Sequence, residues 1–226
     1  METKEKINLI YKLLLKEYRE QGWWPLMKLK NKYHPKDYSY PNSKEDTFEI
    51  CLGCILTQNT SWKNVDKALT NLYIKNLLNH KKIKQEKEET IKKLLKPAGY
   101  FNQKYNYIIN FINFFEKLTT NDFTNVERKE LLKIKGIGNE TADSMLLYAF
   151  KQKEFVVDAY TKRILTNLKI IKGNEDYLEI KKLIENNFKG QVKEYQEYHA
   201  LIVEHAKEFY QKKEDYKNDF LLKMIK

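Results

Sequence analysis

Two glycines separated by one residue lie between two helical patterns in the second half of the chain. The first pattern ends at Lys135, the segment Gly136-Ile137-Gly138 makes a tight turn, and the second pattern begins near Asn139. Both glycines permit positive backbone dihedrals that a residue with a Cβ would resist. Bare N–H groups at the start of the second helix would also favour an anion such as a phosphate. An ordinary helix–helix connection has the same local pattern, so the turn alone does not decide the function.

Helical periodicity extends over almost the entire sequence, and no alternating run is long enough to predict a sheet. Pro97-Ala98-Gly99 and the glycine turn interrupt this periodicity. Ser43 is placed to cap a helix, with Asp46 completing a capping box. The predicted helices cover 4–20, 45–57, 62–78, 87–96, 102–118, 127–134, 139–151, 159–169, 176–187 and 193–213. The sequence therefore predicts an all-α fold.

The charge of the chain is strongly positive. Its 226 residues carry a formal net charge of +11, and the basic residues are interleaved with 16 tyrosines. This pattern suits a folded basic face for a polyanionic partner, although a basic chain can also simply be soluble. Charges interrupt the first helix, Lys4–Glu20, too often for it to span a membrane, and no signal peptide precedes it. We therefore expect an intracellular protein of the cytoplasm or nucleoid, without a membrane partner.

The two cysteines, Cys51 and Cys54, form a Cys-x-x-Cys pattern inside a helical stretch. A metal or redox site would need further ligands or a βαβ context, and the sequence offers neither. Two small apolar side chains on one helix face explain the spacing better. We therefore expect neither a metal nor any other cofactor.

The segment Ile134–Phe150, followed by Phe155–Ile164, resembles the helix-hairpin-helix DNA glycosylases related to endonuclease III, the HhH-GPD superfamily. Their motif runs Leu-x-Gly-[Val/Ile]-Gly-x-x-Thr-Ala, and an apolar pair then leads into an essential aspartate. Ile134 replaces the leucine of that motif. A second block, Phe48–Thr60, looks like the family helix that ends in Thr-Gln before a threonine. The resemblance covers roughly residues 40–210.

The resemblance implies two helical lobes, with the substrate base entering a cleft between them. A six-helix barrel lobe, 44–150, would carry the hairpin, and 1–43 plus 151–226 would form the second lobe. The iron–sulfur cluster of endonuclease III is not expected, because no cysteine follows Phe209. The expected partner is double-stranded DNA with a flipped-out damaged base, bound by a monomer.

Asp158 follows the apolar run Phe155-Val156-Val157 at the predicted start of a helix. An aspartate at this position can be a plain N-cap. The resemblance instead implies the catalytic carboxylate. Cleavage of an N-glycosidic bond develops positive charge on the deoxyribose. A nearby carboxylate can stabilise that charge or activate the attacking water. The two roles are compatible, because capping fixes the orientation of the carboxylate.

Glu140 departs from the pattern of the bifunctional family members. They carry a lysine at this position, directly before Thr-Ala, which forms a Schiff base with the sugar and cleaves the strand. A carboxylate cannot form an imine, so the departure implies a monofunctional glycosylase that uses water. Glu140 is either a base-pocket residue or only a first-turn acid that complements the helix dipole.

An aromatic group completes the predicted base pocket. The order Trp23-Trp24-Pro25, Phe48, Leu-Thr-Gln-Asn-Thr and Gly-Ile-Gly-x-Glu-Thr-Ala-Asp is similar to the endonuclease III-like 3-methyladenine DNA glycosylases. By that resemblance Trp24 and Phe48 would stack on the flipped base, with Trp23 and Pro25 shaping the pocket. A cationic alkylated purine would gain cation–π attraction. Aromatics in such positions are otherwise core anchors.

By the same resemblance, the remaining candidates would contact DNA or line the floor of the base pocket. Gln58 would fill the gap left by the flipped base, or is an amide at a helix end. His205 would approach the pocket floor, or is a satisfied histidine, as is His199. The predicted DNA-binding residues are Gln58, Lys135, Gly136, Ile137, Gly138, Lys162 and Arg163, of which any single cation can also be merely solvated.

Three functions fit these patterns. The leading hypothesis is a monofunctional DNA glycosylase that hydrolyses the N-glycosidic bond of alkylated purines, chiefly 3-methyladenine, in base excision repair. A mismatch uracil/thymine glycosylase would also lack the lysine, but it would need polar groups that read a neutral pyrimidine. A non-catalytic helix-hairpin-helix module would bind DNA without using Asp158.

Overall fold

The computed structural model of the chain describes residues 1–211 and 215–225. These residues are helical apart from loops and an isolated bridge between Leu26 and Lys32, which confirms the predicted all-α fold. A π-helical turn, Met145–Ala149, follows the eighth helix. The α-helices are α1 (Thr3–Tyr18), α2 (Lys44–Leu56), α3 (Trp62–Ile74), α4 (His80–Gln85), α5 (Glu88–Leu95), α6 (Phe101–Phe115), α7 (Arg128–Leu132), α8 (Asn139–Ser144), α9 (Ala159–Asn167), α10 (Tyr177–Asn187), α11 (Val192–Phe209) and α12 (Phe220–Met224).

The chain divides into two compact units. The terminal unit comprises residues 1–23, 34–38 and the described residues from 153 onward, so it contains α1 and α9 to α12. The hairpin unit comprises residues 24–33 and 39–152, so it contains α2 to α8. The lobe boundaries that the resemblance implies stay a prediction.

Helix α2 forms the core of the hairpin unit, because it is buried on all sides from Asp46 to Leu56. The Ser43 hydroxyl oxygen accepts a hydrogen bond from the Asp46 N–H at 3.1 Å, which confirms the predicted N-cap. The Asp46 carboxylate accepts from the Asn42 N–H, at 3.1 Å. The return hydrogen bond of the expected capping box therefore comes from Asn42, one residue before the N-cap.

Two carboxylates on α2 fix the loop that carries Trp24. The Met27 N–H donates to Glu49 Oε1 at 2.6 Å, and the Lys28 ammonium donates to Asp46 Oδ2 at 2.7 Å. Burial raises the pKa of Glu49 to about 7, and the hydrogen bond from Met27 opposes that increase. The loop is thus held to the core helix through both its backbone and a side chain.

Helix α11 is the corresponding core element of the terminal unit. Helix α1 packs on it, and the Tyr198 hydroxyl donates to the Ile7 carbonyl at 2.8 Å. The buried Glu197 carboxylate accepts from the backbone N–H groups of Gln21 (2.6 Å) and Gly22 (2.8 Å). Helix α11 therefore fixes the residues that immediately precede Trp23.

Several helix ends differ from the predictions for local reasons. The predicted helix 62–78 ends at Ile74, and the unpredicted α4 begins after Asn79, whose side chain accepts from the N–H groups of Lys81 and Lys82. The predicted helix 193–213 ends at Phe209, and residues 212 and 213 lie outside the described residues. Helix α12 is also unpredicted. None of the described helices combines the length and apolarity that crossing a membrane requires.

Candidate functional site

Asp158 lies where the segment 155–157 meets α9, and its side chain caps that helix. Oδ1 accepts hydrogen bonds from the Thr161 N–H (2.7 Å) and from the Thr161 hydroxyl (2.8 Å). Oδ2 lies 3.8 Å from Nε2 of His199 on α11. The side chain is 14% exposed. The N-cap role is confirmed, and the catalytic role stays a prediction.

Hydrogen bonds to α10 hold the segment that leads into Asp158. The Phe155 N–H donates to Glu185 Oε1 at 2.8 Å, and the Val157 N–H donates to the Tyr177 hydroxyl oxygen at 3.4 Å. Phe155 is fully buried, with its ring edge-on to Tyr198. The backbone before Asp158 therefore has a defined position, which a reacting carboxylate requires.

His199 lies beside Asp158, a contact that the sequence did not indicate. Its side chain is buried, and burial lowers the pKa of the imidazole below its ordinary value of 6.5, while the Asp158 carboxylate partly opposes that decrease. The ring of Trp23 contacts the imidazole edge-on, with centroids 5.9 Å apart at 86°. A neutral histidine therefore joins one predicted pocket aromatic to the predicted catalytic carboxylate.

Trp24 and Pro25 are buried within the hairpin unit. The Trp24 ring contacts Trp62 of α3, with centroids 5.3 Å apart at 83°, and Tyr148 of the π-helical turn, at 5.2 Å and 61°. Gly53 lies against the indole, since a Cβ there would approach Trp24 Nε1 to 3.0 Å. An aromatic cluster and a close helix backbone thus fix the Trp24 ring, and its pocket role stays a prediction.

Phe48 lies in the aromatic core of the hairpin unit and is 1% exposed. Its ring centroid is 5.5 Å from that of His80 and 5.5 Å from that of Phe115, and the ring stacks against Phe111 at 6.5 Å. These contacts are those of a core anchor, the alternative that the sequence left open. The pocket role of Phe48 stays a prediction that must be separated from its packing.

His205 is fully buried in the terminal unit, where its ring nitrogens lie close to Tyr18 and Asp219. Nδ1 lies 3.0 Å from the Tyr18 hydroxyl, and Nε2 lies 3.1 Å from Asp219 Oδ1. The predicted contact of His205 with the pocket floor stays a prediction. The observed partners favour a structural histidine that joins α1, α11 and the start of α12.

The two glycines of the turn have different backbone conformations. Gly136 has φ +103°, and a Cβ there would lie 2.1 Å from Cδ1 of Tyr107. Gly138 is the N-cap of α8 with an extended backbone (φ −94°, ψ −177°), and no atom would meet its Cβ within 4 Å. Gly136 therefore uses the positive dihedral that glycine permits, whereas Gly138 takes the extended conformation of an N-cap residue.

Two side-chain amides, one just after α2 and one on α6, donate hydrogen bonds to the backbone of the turn. The Gln58 amide donates to the Gly136 carbonyl at 3.0 Å and to the Thr141 hydroxyl at 3.1 Å. The Asn110 amide donates to the Lys135 carbonyl at 3.1 Å. Gln58 therefore connects the end of α2 to the turn, and its predicted insertion into DNA stays a prediction.

An ion pair that the sequence did not indicate joins α7 to α8. Nε and Nη2 of Arg128 donate to the two carboxylate oxygens of Asp143 at 2.7 and 3.1 Å, and Nη2 also donates to Asn139 Oδ1 at 2.8 Å. Asp143 is fully buried. The bidentate geometry fixes the relative orientation of the two helices that flank the turn.

The two glycines should respond differently to substitution by alanine. Gly136→Ala is expected to lower the melting temperature, because backbone strain alone costs about 1–3 kcal/mol and the Tyr107 ring must also move. Gly138→Ala should keep the melting temperature and weaken duplex binding, because the methyl group would project from the exposed N-cap where we expect a phosphate. Thermal melting and binding titrations measure both effects. Unchanged affinity in Gly138→Ala would place the phosphate elsewhere.

Of the four charged candidates, two are exposed and two donate hydrogen bonds to backbone carbonyls. Glu140 and Lys135 are exposed side chains of the hairpin unit. In the terminal unit, Lys162 donates to the Glu175 carbonyl and Arg163 donates to the Tyr210 carbonyl, both at 2.7 Å. The DNA-binding roles of Lys135, Lys162 and Arg163 stay predictions, as does the base-pocket role of Glu140.

Cys51 and Cys54 are both buried in α2 as free thiols. Burial raises the pKa of both, and the carboxylate of Glu140 contributes to the increase at Cys54. Within residues 1–211 and 215–225, no three histidine, cysteine or carboxylate side chains are grouped as a metal site would require. The thiols are thus packed as small apolar groups.

Comparisons with known proteins agree on one family. The model of the HhH-GPD superfamily base excision DNA repair proteins matches residues 52–189. A Methanocaldococcus jannaschii protein, MJ1434, provisionally named a DNA repair glycosylase, is 43% identical over 217 residues, covering 92% of this chain and 90% of its own. The H. pylori 3-methyladenine DNA glycosylase (MagIII) bound to 1,N6-ethenoadenine has a TM-score of 0.72 at 29% identity, covering 92% of this chain and 98% of that one. A non-covalent endonuclease III–DNA complex has a TM-score of 0.76 at 17% identity, covering 100% of this chain and 96% of that one, and so shares the fold.

Proposed function

This chain belongs to the HhH-GPD superfamily of base excision DNA repair proteins, and we propose that it is a monofunctional DNA glycosylase for alkylated purines. It hydrolyses the N-glycosidic bond, with 3-methyladenine as its chief substrate. A monomer binds double-stranded DNA inside the cell, with the damaged base turned out of the helix. The observation that carries the proposal is the fixed Asp158 carboxylate beside a neutral histidine.

The chemistry assigned to Asp158 follows from its two oxygens. Thr161 holds Oδ1 through two hydrogen bonds, which leaves Oδ2 for the substrate. As the bond from the sugar to the base breaks, its electron pair leaves with the base and positive charge develops on the deoxyribose. A carboxylate held in place stabilises that charge and accepts the proton that the attacking water releases. An aspartate in this geometry supports hydrolysis without further acid catalysis, provided that the base is a good leaving group.

Glu140 supports hydrolysis without strand cleavage. It lies in the first turn of α8, where related bifunctional enzymes carry their imine-forming lysine, and its side chain is exposed. A carboxylate has no amine nitrogen, so it cannot form a Schiff base with the sugar. Strand cleavage through this position is therefore excluded by its chemistry.

Borohydride trapping tests this assignment. We expect no covalent adduct when the protein acts on methylated duplex DNA in the presence of borohydride, because no imine forms for it to reduce. A bifunctional endonuclease III on its own substrate serves as the positive control, and Glu140→Gln should behave as the unmodified protein does. A strong adduct that maps to any lysine of this chain would contradict the monofunctional mechanism.

The aromatic side chains support an alkylated purine as the substrate. Trp23 and Trp24 follow each other in the chain, and a flipped base needs flat faces on which to stack. A base with a positive charge gains cation–π attraction and leaves readily as a neutral product. The bound 1,N6-ethenoadenine of the similar H. pylori enzyme is a modified adenine, which agrees with this substrate class.

Two other functions make different predictions. A mismatch uracil/thymine glycosylase would release uracil from duplex DNA and would be insensitive to methylation of purines. A DNA-binding module without activity would tolerate Asp158→Asn with no measurable consequence. Base release from methylated DNA, compared with release from uracil-containing DNA, distinguishes all three functions.

A further inference from the structure

The two oxygens of the Asp158 carboxylate have different surroundings within the terminal unit. Two hydrogen bonds from Thr161 reach Oδ1, while Oδ2 faces the imidazole of His199, whose Nε2 is 3.8 Å away. Thr161 is fully buried and His199 is 6% exposed, so packing fixes both partners. The histidine is therefore next to the oxygen that the proposed reaction uses.

A donor beside a catalytic carboxylate should orient it without cancelling its charge. Burial lowers the pKa of His199, so the imidazole is neutral near pH 7. A neutral ring with its hydrogen on Nε2 directs an N–H dipole toward Oδ2 and leaves the carboxylate negative. The opposite tautomer would direct a nitrogen lone pair toward the anion, which is repulsive.

We propose that His199 is a positioning residue for Asp158, in which a neutral Nε2–H group holds Oδ2 toward the sugar cation. The inference rests on the proposed function, because it assigns the hydrolysis to Asp158. His199 acts through Asp158 and needs no contact with the substrate. At 3.8 Å the Nε2–H dipole acts on Oδ2 electrostatically, beside the two hydrogen bonds that Thr161 donates to Oδ1.

The imidazole of His199 also packs against an aromatic ring, that of Trp23. Trp23 packs edge-on against the ring, and Glu197, on the same helix, holds the backbone of Gln21 and Gly22 just before Trp23. Helix α11 thus fixes both the histidine and the aromatic residue against which it packs. A substitution at His199 should therefore affect Asp158 directly, because Oδ2 of the carboxylate lies 3.8 Å from the imidazole.

A measurement without substrate tests the tautomer. Long-range ¹H–¹⁵N NMR of the ¹⁵N-labelled protein should show His199 as a neutral ring protonated at Nε2, with its signals assigned by their loss in His199→Gln. A ring protonated only at Nδ1 would overturn the proposal. Because no base release is needed, this result stands even if the proposed function fails.

A double-mutant cycle tests whether His199 acts through Asp158. We expect His199→Leu to slow single-turnover base release roughly 10- to 100-fold, the scale of losing a group that orients a reacting residue, with unchanged duplex affinity. His199→Gln restores an amide N–H and should recover most of the rate. In an Asp158→Asn background, His199→Leu should have no further effect. The substrate is methylated duplex DNA, or uracil-containing DNA if the unmodified protein releases uracil instead.

Leu201→Ala supplies the matched control, since Leu201 is fully buried on the same helix. It should lower the melting temperature without slowing base release well below that temperature. If His199→Leu and His199→Gln both lose rate in step with melting temperature, the histidine is only structural and the proposal fails. If the rate losses of Asp158→Asn and His199→Leu multiply in the double variant, the proposal also fails. Multiplied losses would mean that the two residues act independently.

Discussion

Asp158→Asn is expected to slow base release by roughly two or more orders of magnitude, the usual scale for a preorganised charge in an active site. The asparagine oxygen can still accept the two hydrogen bonds from Thr161, so the cap of α9 should survive. The substitution therefore removes the negative charge and keeps the local structure. Single-turnover release, duplex affinity and melting temperature should be measured together, and only the first should change greatly.

Asp176→Asn is the matched control for this experiment. Asp176 caps α10 in the same unit, and its Oδ1 accepts from the Glu179 N–H at 2.8 Å. Asparagine should preserve that cap as well, and base release should remain normal. Near-normal turnover in Asp158→Asn would show that the carboxylate is a cap alone, which would contradict the catalytic assignment.

Trp24→Ala is expected to reduce excision of 3-methyladenine by tens-fold or more. Stacking contributes roughly 1–3 kcal/mol per base, and a desolvated cation adds up to about 2 kcal/mol on an aromatic face. Release of undamaged, neutral purines should fall less. Because Trp24 also packs on Trp62 and Tyr148, the substitution should lower stability by about 3–5 kcal/mol, so release must be measured well below the melting temperature.

Phe48→Leu separates the pocket role of Phe48 from its core role. Leucine fills much of the space among His80, Phe111 and Phe115 but offers no flat face to a base. A pocket role predicts slow excision of the charged base at a nearly normal melting temperature. Equal losses on charged and neutral bases, in step with the melting temperature, would contradict the pocket assignment for either aromatic residue.

Local features of the fold were predictable from the sequence. Ser43 and Asp158 cap the helices that follow them, because a capping side chain needs only the N–H groups a few residues away. Gly136 has the positive dihedral expected in a tight turn between helices. Gly138 is also a glycine of this turn, but its backbone is extended because it is the N-cap of α8. That role depends on where α8 begins.

Contacts between distant parts of the chain could not be predicted. His199 meets Asp158 only because α11 packs against α9, and no spacing in the sequence encodes that pairing. The buried Lys104 is similar, since its ammonium donates to the carbonyls of Leu56 and Ala98, both at 2.8 Å. The charge of this lysine would predict a solvated side chain, although helical periodicity places it on the buried face of α6. The catalytic candidate was therefore recognisable from the sequence, while the groups that surround it required the structure.

The identity of the released base tests the central proposal most directly. The protein should be incubated with methylated duplex DNA and, separately, with uracil-containing duplex DNA, and the free bases and the strands should then be analysed. We expect free 3-methyladenine, no free uracil, and strands that remain intact until the abasic sites are cleaved chemically. Release of uracil without alkylated purines, or release of no base from either DNA, would contradict the proposed function.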